Sequence, residues 1–154
     1  MLASILSRTF DLVMFRAGPQ DFPFLAGRHA TVAVVAGSPV FMVYSMALTP
    51  LVALAMAAGS VLGVFLAAKL ILRWRKLDAR FTQTAHAQLA VTAFLTALMI
   101  LPFAQIAPLL AEMAANPGME APPDVPAGPV LIMIALNLWG FTVTANHTPP
   151  QKFN

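Results

Sequence analysis

The sequence predicts an all-α polytopic membrane protein: an N-terminal interfacial amphipathic helix, then four transmembrane helices, with both termini on the cytoplasmic side. Two observations predict this fold class. The 154 residues are 59% hydrophobic and only 10% charged, whereas a soluble domain carries about 25% charged residues. All nine Lys and Arg residues also fall on one side of four apolar stretches, which gives the orientation by the positive-inside rule.

The first predicted element is a short amphipathic helix over residues 1–16. Apolar side chains recur there at helical spacing, and Arg8 and Asp11 lie elsewhere on the helical wheel. The segment is too short and too charged to span a bilayer, so we expect it in the cytoplasmic headgroup layer, with a frayed terminus as the alternative. Residues 17–27, which contain two Pro and two Gly, end this helix.

Four apolar stretches are predicted to be the transmembrane helices, at residues 29–49, 51–72, 82–113 and 129–145. A tight joint at Pro50 makes the first two a hairpin, with a kink expected at Pro39. The third stretch is longer than a ~30 Å hydrocarbon core requires, so it begins in the interface or bends at Pro102 or Pro108. Residues 114–128 form a Pro-rich, acidic periplasmic linker before the fourth helix. The whole chain is then one membrane domain, residues 1–154.

The charge and cysteine content exclude several classes of function. The formal charge of +3 comes from basic residues at helix ends, without the basic stripe and interleaved aromatics of a nucleic-acid surface. Membrane lipids are therefore the expected partners of these charges, and nucleic acid is not. With no cysteine in the chain, disulfides, thiolate ligation of a metal and a thiol nucleophile are excluded.

The clearest packing pattern is a small-residue ridge on the second predicted span, in which one small residue recurs every four positions: Ala55, Gly59, Gly63 and Ala67. Such a ridge lets another helix backbone approach closely, where dispersion and weak Cα–H···O contacts accumulate. We expect the ridge to pack against another helix of the same bundle. A contact with a partner subunit is the alternative.

Three histidines, His29, His86 and His147, fall near the predicted cytoplasmic boundary. Imidazoles gathered there are potential ligands of a metal or a haem. Their spacing forms no local motif, and interfacial histidines with polar tips among the headgroups are the simpler interpretation. We predict no metal site and no resident cofactor beyond bound lipid, and keep haem, quinone or pigment held by these histidines as an alternative.

Two amides, Gln105 and Asn137, lie well inside predicted spans. A buried amide in lipid must find a hydrogen-bond partner, so we expect them to form interhelical hydrogen bonds, with each other or with a nearby Thr or Ser. No Asp, Glu, Lys or Arg lies near the centre of a span, which argues against an ion-coupled transporter. The sequence also carries no recognisable catalytic motif, so we do not expect an enzyme.

Two short stretches at the predicted cytoplasmic edge carry a family resemblance. DLVMFRAGPQDFPF contains an Arg-x-Gly-Pro-Gln-Asp turn, formed by Arg16, Gly18, Pro19, Gln20 and Asp21. ARFTQTAHAQLAVTAFL opens the third span with an Arg-Phe-x-Gln-Thr pattern, formed by Arg80, Phe81, Gln83 and Thr84. Both resemble a group of small, functionally uncharacterised proteobacterial inner-membrane proteins, distantly similar to Yip1-type multispan proteins. The resemblance implies the multispan architecture and no activity.

The expected function follows from small size, membrane insertion and the lack of mid-membrane charge. We expect a non-catalytic accessory or scaffold subunit of a larger integral membrane complex, in a respiratory, photosynthetic or other oxidoreductase assembly of the bacterial inner (cytoplasmic) membrane. Its partners are then other integral membrane subunits and membrane lipids. A small transporter or channel component acting as a homo-oligomer is the first alternative, and a membrane subunit that carries haem, quinone or pigment is the second.

Overall fold

The computed structural model describes residues 2–23, 25, 27–116 and 124–146, and these are helical throughout apart from turns and short connections. The described residues contain no strand, which confirms the all-α prediction. Five α-helices follow in order: α1 Leu2–Val13, α2 His29–Ser45, α3 Pro50–Trp74, α4 Phe81–Ala115 and α5 Ala127–Asn146. Single turns of 3-10 helix at Pro19–Asp21 and Asp78–Arg80 precede α2 and α4.

Three helices are long and apolar enough to cross a membrane, namely α3, α4 and α5. Helices of this length and composition are typical of a membrane protein. The fourth apolar helix, α2, has 17 residues. At ~1.5 Å per residue its length is about 25 Å, below the ~30 Å of a hydrocarbon core.

The predicted first span, residues 29–49, extends four residues beyond the end of α2 at Ser45. The chain leaves the helix after Ser45 and makes a turn over Met46–Leu48. Thr49 is extended, with φ −62° and ψ 149°, because the ring of a following proline disfavours the helical conformation in the residue before it. Pro50 then opens α3 in the first helical turn, where its missing N–H costs nothing.

The start of α2 coincides with the predicted one, and the boundaries of the other α-helices differ from the predicted ones by one to three residues. Both α2 and α4 continue as helices through their prolines, Pro39 in α2 and Pro102 and Pro108 in α4. The Pro-rich linker begins later than expected, since α4 runs to Ala115. Most of that linker, residues 117–123, lies outside the described residues, as does the C-terminal tail from residue 147.

The central helix of the bundle is α4, and the other helices pack on two sides of it. On one side, α2 and α3 pack against α4 around Ala36, Val61 and Leu89. On the other side, α1, the loop after it and α5 enclose the second core, which is formed by Leu12, Val13, Phe22, Ala87, Val91, Leu95 and Val143. Gly140 allows the close approach of α5 to α4, since a Cβ there would lie 3.1 Å from the side chain of Leu95.

The α1 helix forms where it was predicted, and it buries part of its surface in the protein. Thr9, Leu12 and Val13 are buried against α4 and α5, whereas Leu6 and Phe10 on the same helix are exposed. The amphipathic pattern is thus divided between a protein-facing side and an outer side.

Opposite charges mark the two ends of the bundle. The start of α2, the end of α3, the start of α4 and the end of α5 lie together, and we call this the Arg-rich end. It carries one acidic residue, Asp78, and six basic residues: Arg28, Lys69, Arg73, Arg75, Lys76 and Arg80. The opposite end comprises the α2–α3 turn, the end of α4 and the start of α5. Its described residues include Glu112 and Asp124 and no Lys or Arg.

Two helices end in the same motif with a non-glycine residue in the left-handed region. Phe15 has φ 57° after α1, and Lys76 has φ 56° after α3. In each case the next N–H donates to a carbonyl five residues earlier, Arg16 to Asp11 at 2.8 Å and Leu77 to Leu72 at 2.8 Å. These are the hydrogen bonds of a Schellman motif, which usually has glycine at the left-handed position.

Candidate functional site: a cleft between α3 and α5

A cleft of about 1060 Å³ lies between α3 and α5. Its floor is the first half of α4, because α3 and α5 pack on neighbouring parts of that helix and leave a strip of it uncovered. The cleft opens at the Arg-rich end, where the loop after α1 forms part of its rim.

The floor is a polar stripe. Thr84, Gln88 and Thr92 follow one another at four-residue spacing on α4, so their side chains lie on one side of the helix, about 6 Å apart along its axis. Across the cleft, Thr144 of α5 donates a hydrogen bond from its hydroxyl to Oε1 of Gln88 at 3.3 Å. The floor and the α5 wall therefore carry hydroxyls and an amide, and two of these groups, on Gln88 and Thr144, are bonded to each other.

The walls are apolar and partly made of small side chains. On α3 they comprise Val64, Ala67, Ala68 and Ile71, and on α5 the wall includes Phe141. Two alanines in succession leave space that larger side chains would fill, so the cleft is wider at this level.

Two arginines lie at the mouth of the cleft. Arg75 is the C-cap residue of α3, and Arg80 precedes α4. The left-handed turn at Lys76 between them redirects the chain so that Leu77 also lines the cleft. No Asp or Glu is among the described residues that line it, so the lining has a charge of +2.

The rim formed by the loop after α1 is fixed by Gln83. Its Nε2 donates to the carbonyl oxygens of Gln20 and Phe22, both at 2.6 Å. An NH₂ group has two protons and can serve both acceptors. Within the loop, the N–H of Gly18 donates to Oδ2 of Asp21 at 2.8 Å.

This contact joins the two stretches that carry the family resemblance. Gln20 and Asp21 belong to the first stretch, and Gln83 and Thr84 belong to the second. Residues of both line the cleft, including Gly18, Gln20 and Thr84. Sequence reasoning noticed each stretch separately and missed the contact, since a separation of 63 residues leaves no local signal. The sequence does contain one local signal of the cleft, which is the four-residue spacing of Thr84, Gln88 and Thr92.

The histidines are placed as follows. His86 Nε2 lies 3.0 Å from His29 Nδ1, so the structure brings these two together at the start of α2 and α4. His86 is fully buried and its Nδ1 has no hydrogen-bond partner. The tautomer with the proton on Nε2 avoids burying an unpaired N–H, so we assign the donor to His86 and the acceptor to His29. His147 lies outside the described residues.

Among the residues that the structure describes, the His29–His86 pair has no third potential metal ligand. Across the part of the chain that the structure describes, no three His, Cys, Asp or Glu side chains are grouped so that they would hold a metal ion. The aromatic ring of Phe65 packs on His29 instead, with centroids 6.2 Å apart. What the geometry supports is a hydrogen-bonded pair that joins α2 to α4.

The small-residue ridge does not pack inside the bundle as expected. Its four residues are exposed, and a Cβ built on Gly59 or Gly63 would meet no atom within 4 Å. The side of α3 that is buried carries a different row: Ala53, Ala57, Val61, Ala68 and Leu72. That row contains the larger apolar side chains, so burying it removes more apolar area from contact with the surroundings than burying a glycine row would. At its end, Ala67 of the ridge lines the cleft.

The two mid-span amides do not bond to each other. Asn137 donates to the carbonyl of Met133 in its own helix at 2.8 Å, with Sδ of Met99 on α4 at 3.9 Å. Gln105 is directed to the carbonyl of Leu101, also in its own helix, at 3.5 Å. Both side chains are exposed, so the expected pairing of the amides across helices is not formed.

Comparison of this chain with protein-family models, with curated proteins and with solved structures finds no match. The resemblance to small Yip1-type inner-membrane proteins stays a prediction.

Proposed function

We propose that this chain is a non-catalytic accessory or scaffold subunit of a larger integral membrane complex. The observation that carries the proposal is the outer side of α3. Gly59 and Gly63 lie there in open space, although glycine inside a helix costs about 1 kcal/mol relative to alanine. A close helix–helix contact with another subunit would offset this destabilisation, because small residues let two helix backbones approach closely.

We further propose that four helices span a bacterial inner membrane, with the Arg-rich end in the cytoplasm. The six basic residues at that end, against acidic residues at the other, match the positive-inside rule. The short helix α2 then crosses with the help of the turn at Met46–Leu48 and of local thinning of the bilayer, to which a short span adapts at modest cost.

The alternative of a small transporter needs a polar path that Gln105 and Asn137 would line. Both amides are exposed, and each donates to a carbonyl of its own helix; Asn137 also contacts Sδ of Met99 on α4. The geometry therefore favours the subunit over the transporter.

The test is a substitution on the ridge that leaves the chain itself intact. Gly59→Leu adds a large side chain where nothing lies within 4 Å and also improves helix propensity, so we expect the isolated protein to keep or slightly raise its thermal stability in detergent. In mild-detergent purification from the native membrane, we expect the variant to lose a membrane protein that co-purifies with the wild type. The control is Ala58→Leu, an exposed position of α3 off the ridge, which should keep that protein.

Three results would contradict the proposal. A drop in stability of isolated Gly59→Leu would mean that the ridge packs within the chain. Equal recovery of the co-purifying protein from both variants would remove the ridge as a contact. If the lost protein is a second copy of this chain, the ridge is the interface of a homo-oligomer and the accessory-subunit function fails.

A further inference from the structure

We propose that the cleft between α3 and α5 binds one phospholipid with an anionic headgroup. In this arrangement the phosphate lies beside Arg75 and Arg80, and an acyl chain lies between α3 and α5. The inference does not depend on the proposed subunit function, since Gly59 and Gly63, which carry that proposal, do not line the cleft, and the ridge and the cleft share only Ala67.

The first argument is the order of chemistry along the floor of the cleft. From the mouth inwards, the chain presents Arg80, then Thr84, Gln88 and Thr92, at steps of about 6 Å along the helix axis. The α3 wall beside them is apolar. The charge therefore lies at the mouth, and the groove behind it has a polar floor and an apolar wall. A phospholipid likewise carries its phosphate at one end, with ester groups and acyl chains beyond it.

The second argument is charge. The two arginines give the lining a charge of +2 with no carboxylate among the described lining residues. Arginine is suited to phosphate because its planar guanidinium can donate two parallel hydrogen bonds. A zwitterionic headgroup would bring a cation close to these arginines, so the charge favours an anionic lipid.

The third argument is size and position. The volume of about 1060 Å³ is at the upper limit of the ~300–1,000 Å³ typical of sites for small ligands. Arg80 and Thr92 are twelve residues apart, about 18 Å along α4. A free phosphate would occupy only the mouth, whereas an acyl chain would fill the slot beside Ala67 and Ala68.

The experiment is native mass spectrometry of the full chain in detergent, with three probes added separately. These are phosphatidylglycerol, phosphatidylcholine with the same acyl chains, and glycerol 3-phosphate as the headgroup without chains. We expect one phosphatidylglycerol to bind at least about tenfold more tightly than phosphatidylcholine, and glycerol 3-phosphate to leave that binding unchanged.

Two pairs of variants locate the binding. Arg75→Gln with Arg80→Gln should weaken phosphatidylglycerol binding about tenfold. Arg73→Gln with Lys76→Gln removes the same charge from residues on either side of Arg75 that do not line the cleft, and should not weaken binding. Ala67→Phe fills the slot from an exposed position and should abolish binding with both arginines in place. Ala58→Phe, also exposed on α3 but outside the cleft, is its control.

Several results would overturn the inference. Equal binding of the two lipids, or equal weakening by both double substitutions, would mean non-specific attraction to a basic surface. Displacement by glycerol 3-phosphate would mean a site for a soluble phosphate compound. Unchanged binding in Ala67→Phe would place the lipid elsewhere, and this variant keeps the test decisive if the double Arg variant fails to fold.

Discussion

The two ends of this bundle use their polar side chains in different ways. Towards the Arg-rich end, side chains join segments that are far apart in the chain: Gln83 to the loop after α1, His86 to His29, Thr144 to Gln88, and Trp139 to the carbonyl of Val13 at 3.0 Å. Towards the opposite end, Ser45, Gln105 and Asn116 bond to carbonyls of their own helices.

The difference shows where the arrangement of the helices is specified. Dispersion contacts between apolar helices are short-ranged and tolerate sliding, whereas a hydrogen bond between two segments fixes their relative position. The Arg-rich end therefore fixes the register of α1, α2 and α5 on α4. The opposite end depends on the tight turn before Pro50 and on apolar packing.

The largest expected loss of stability follows from replacing Gln83, the glutamine that binds the loop after α1. Gln83→Leu removes both donors and leaves the carbonyls of Gln20 and Phe22 without that partner. We expect a loss of about 2 kcal/mol in the free energy of unfolding, measured by denaturation in detergent micelles. Gln83→Glu should also destabilise, because an ionised carboxylate has no proton to donate to a carbonyl.

The matched control is the same substitution at the opposite end. Gln105 is exposed and reaches its own helix at a long 3.5 Å, so Gln105→Leu should change the stability by less than about 0.5 kcal/mol. Equal losses in the two leucine variants would end the distinction between the two ends.

A smaller loss in the free energy of unfolding is expected when Trp139, whose indole joins α5 to α1, is replaced. Trp139 donates from Nε1 to Val13, and its ring packs edge-on against Phe15 with centroids 5.3 Å apart. Trp139→Phe keeps an aromatic ring and removes the donor, so we expect a loss of about 1 kcal/mol. Protease cleavage within residues 14–23 should rise in parallel, since the end of α1 loses a contact.

The control here is the second tryptophan. Trp74 is the last residue of α3 and is 84% exposed. Trp74→Phe should leave both the stability and the cleavage pattern as in the wild type. If Trp139→Phe also leaves the stability and the cleavage pattern unchanged, the hydrogen bond to Val13 does not contribute to holding α1.

The helices of this protein were predictable because their signals are local. Composition predicted an all-helical membrane protein, and the boundaries of α3, α4 and α5 were found to within three residues. The end of α2 was missed because Ala47 and Leu48 are apolar and continue the hydropathy pattern, although they belong to the turn that Pro50 imposes.

The packing was less predictable, because α3 carries two rows of small residues. One row includes Ala53 and Ala57 and is buried, and the other includes Gly59 and Gly63 and is exposed. A spacing of four residues identifies each row and does not say which one meets α4. The cleft was not predictable at all, since it depends on α3, α5 and the loop after α1 meeting the same half of α4.

The smallest expected effect has the opposite sign and lies at the mouth of the cleft. Lys76 adopts φ 56° to end α3, a conformation that costs a non-glycine residue roughly 1–2 kcal/mol. Its side chain is exposed, so Lys76→Gly should relieve the backbone while losing a favourable charge at a helix C-terminus. Lys76→Ala removes the same charge and leaves the backbone strain at this position in place. We therefore expect the glycine variant to be about 1 kcal/mol more stable than the alanine variant, in the same detergent denaturation.

Phe15 provides the contrast that sharpens this prediction, because it has nearly the same φ of 57° but packs its ring on Trp139. Phe15→Gly relieves the same strain and gives up an aromatic contact together with the area that the ring covers, so it should be no more stable than the wild type. A gain at Phe15 as large as at Lys76 would mean that the ring contributes nothing to holding α1. In that case the hydrogen bonds of Gln83 and Trp139 would have to account for the whole attachment of the loop.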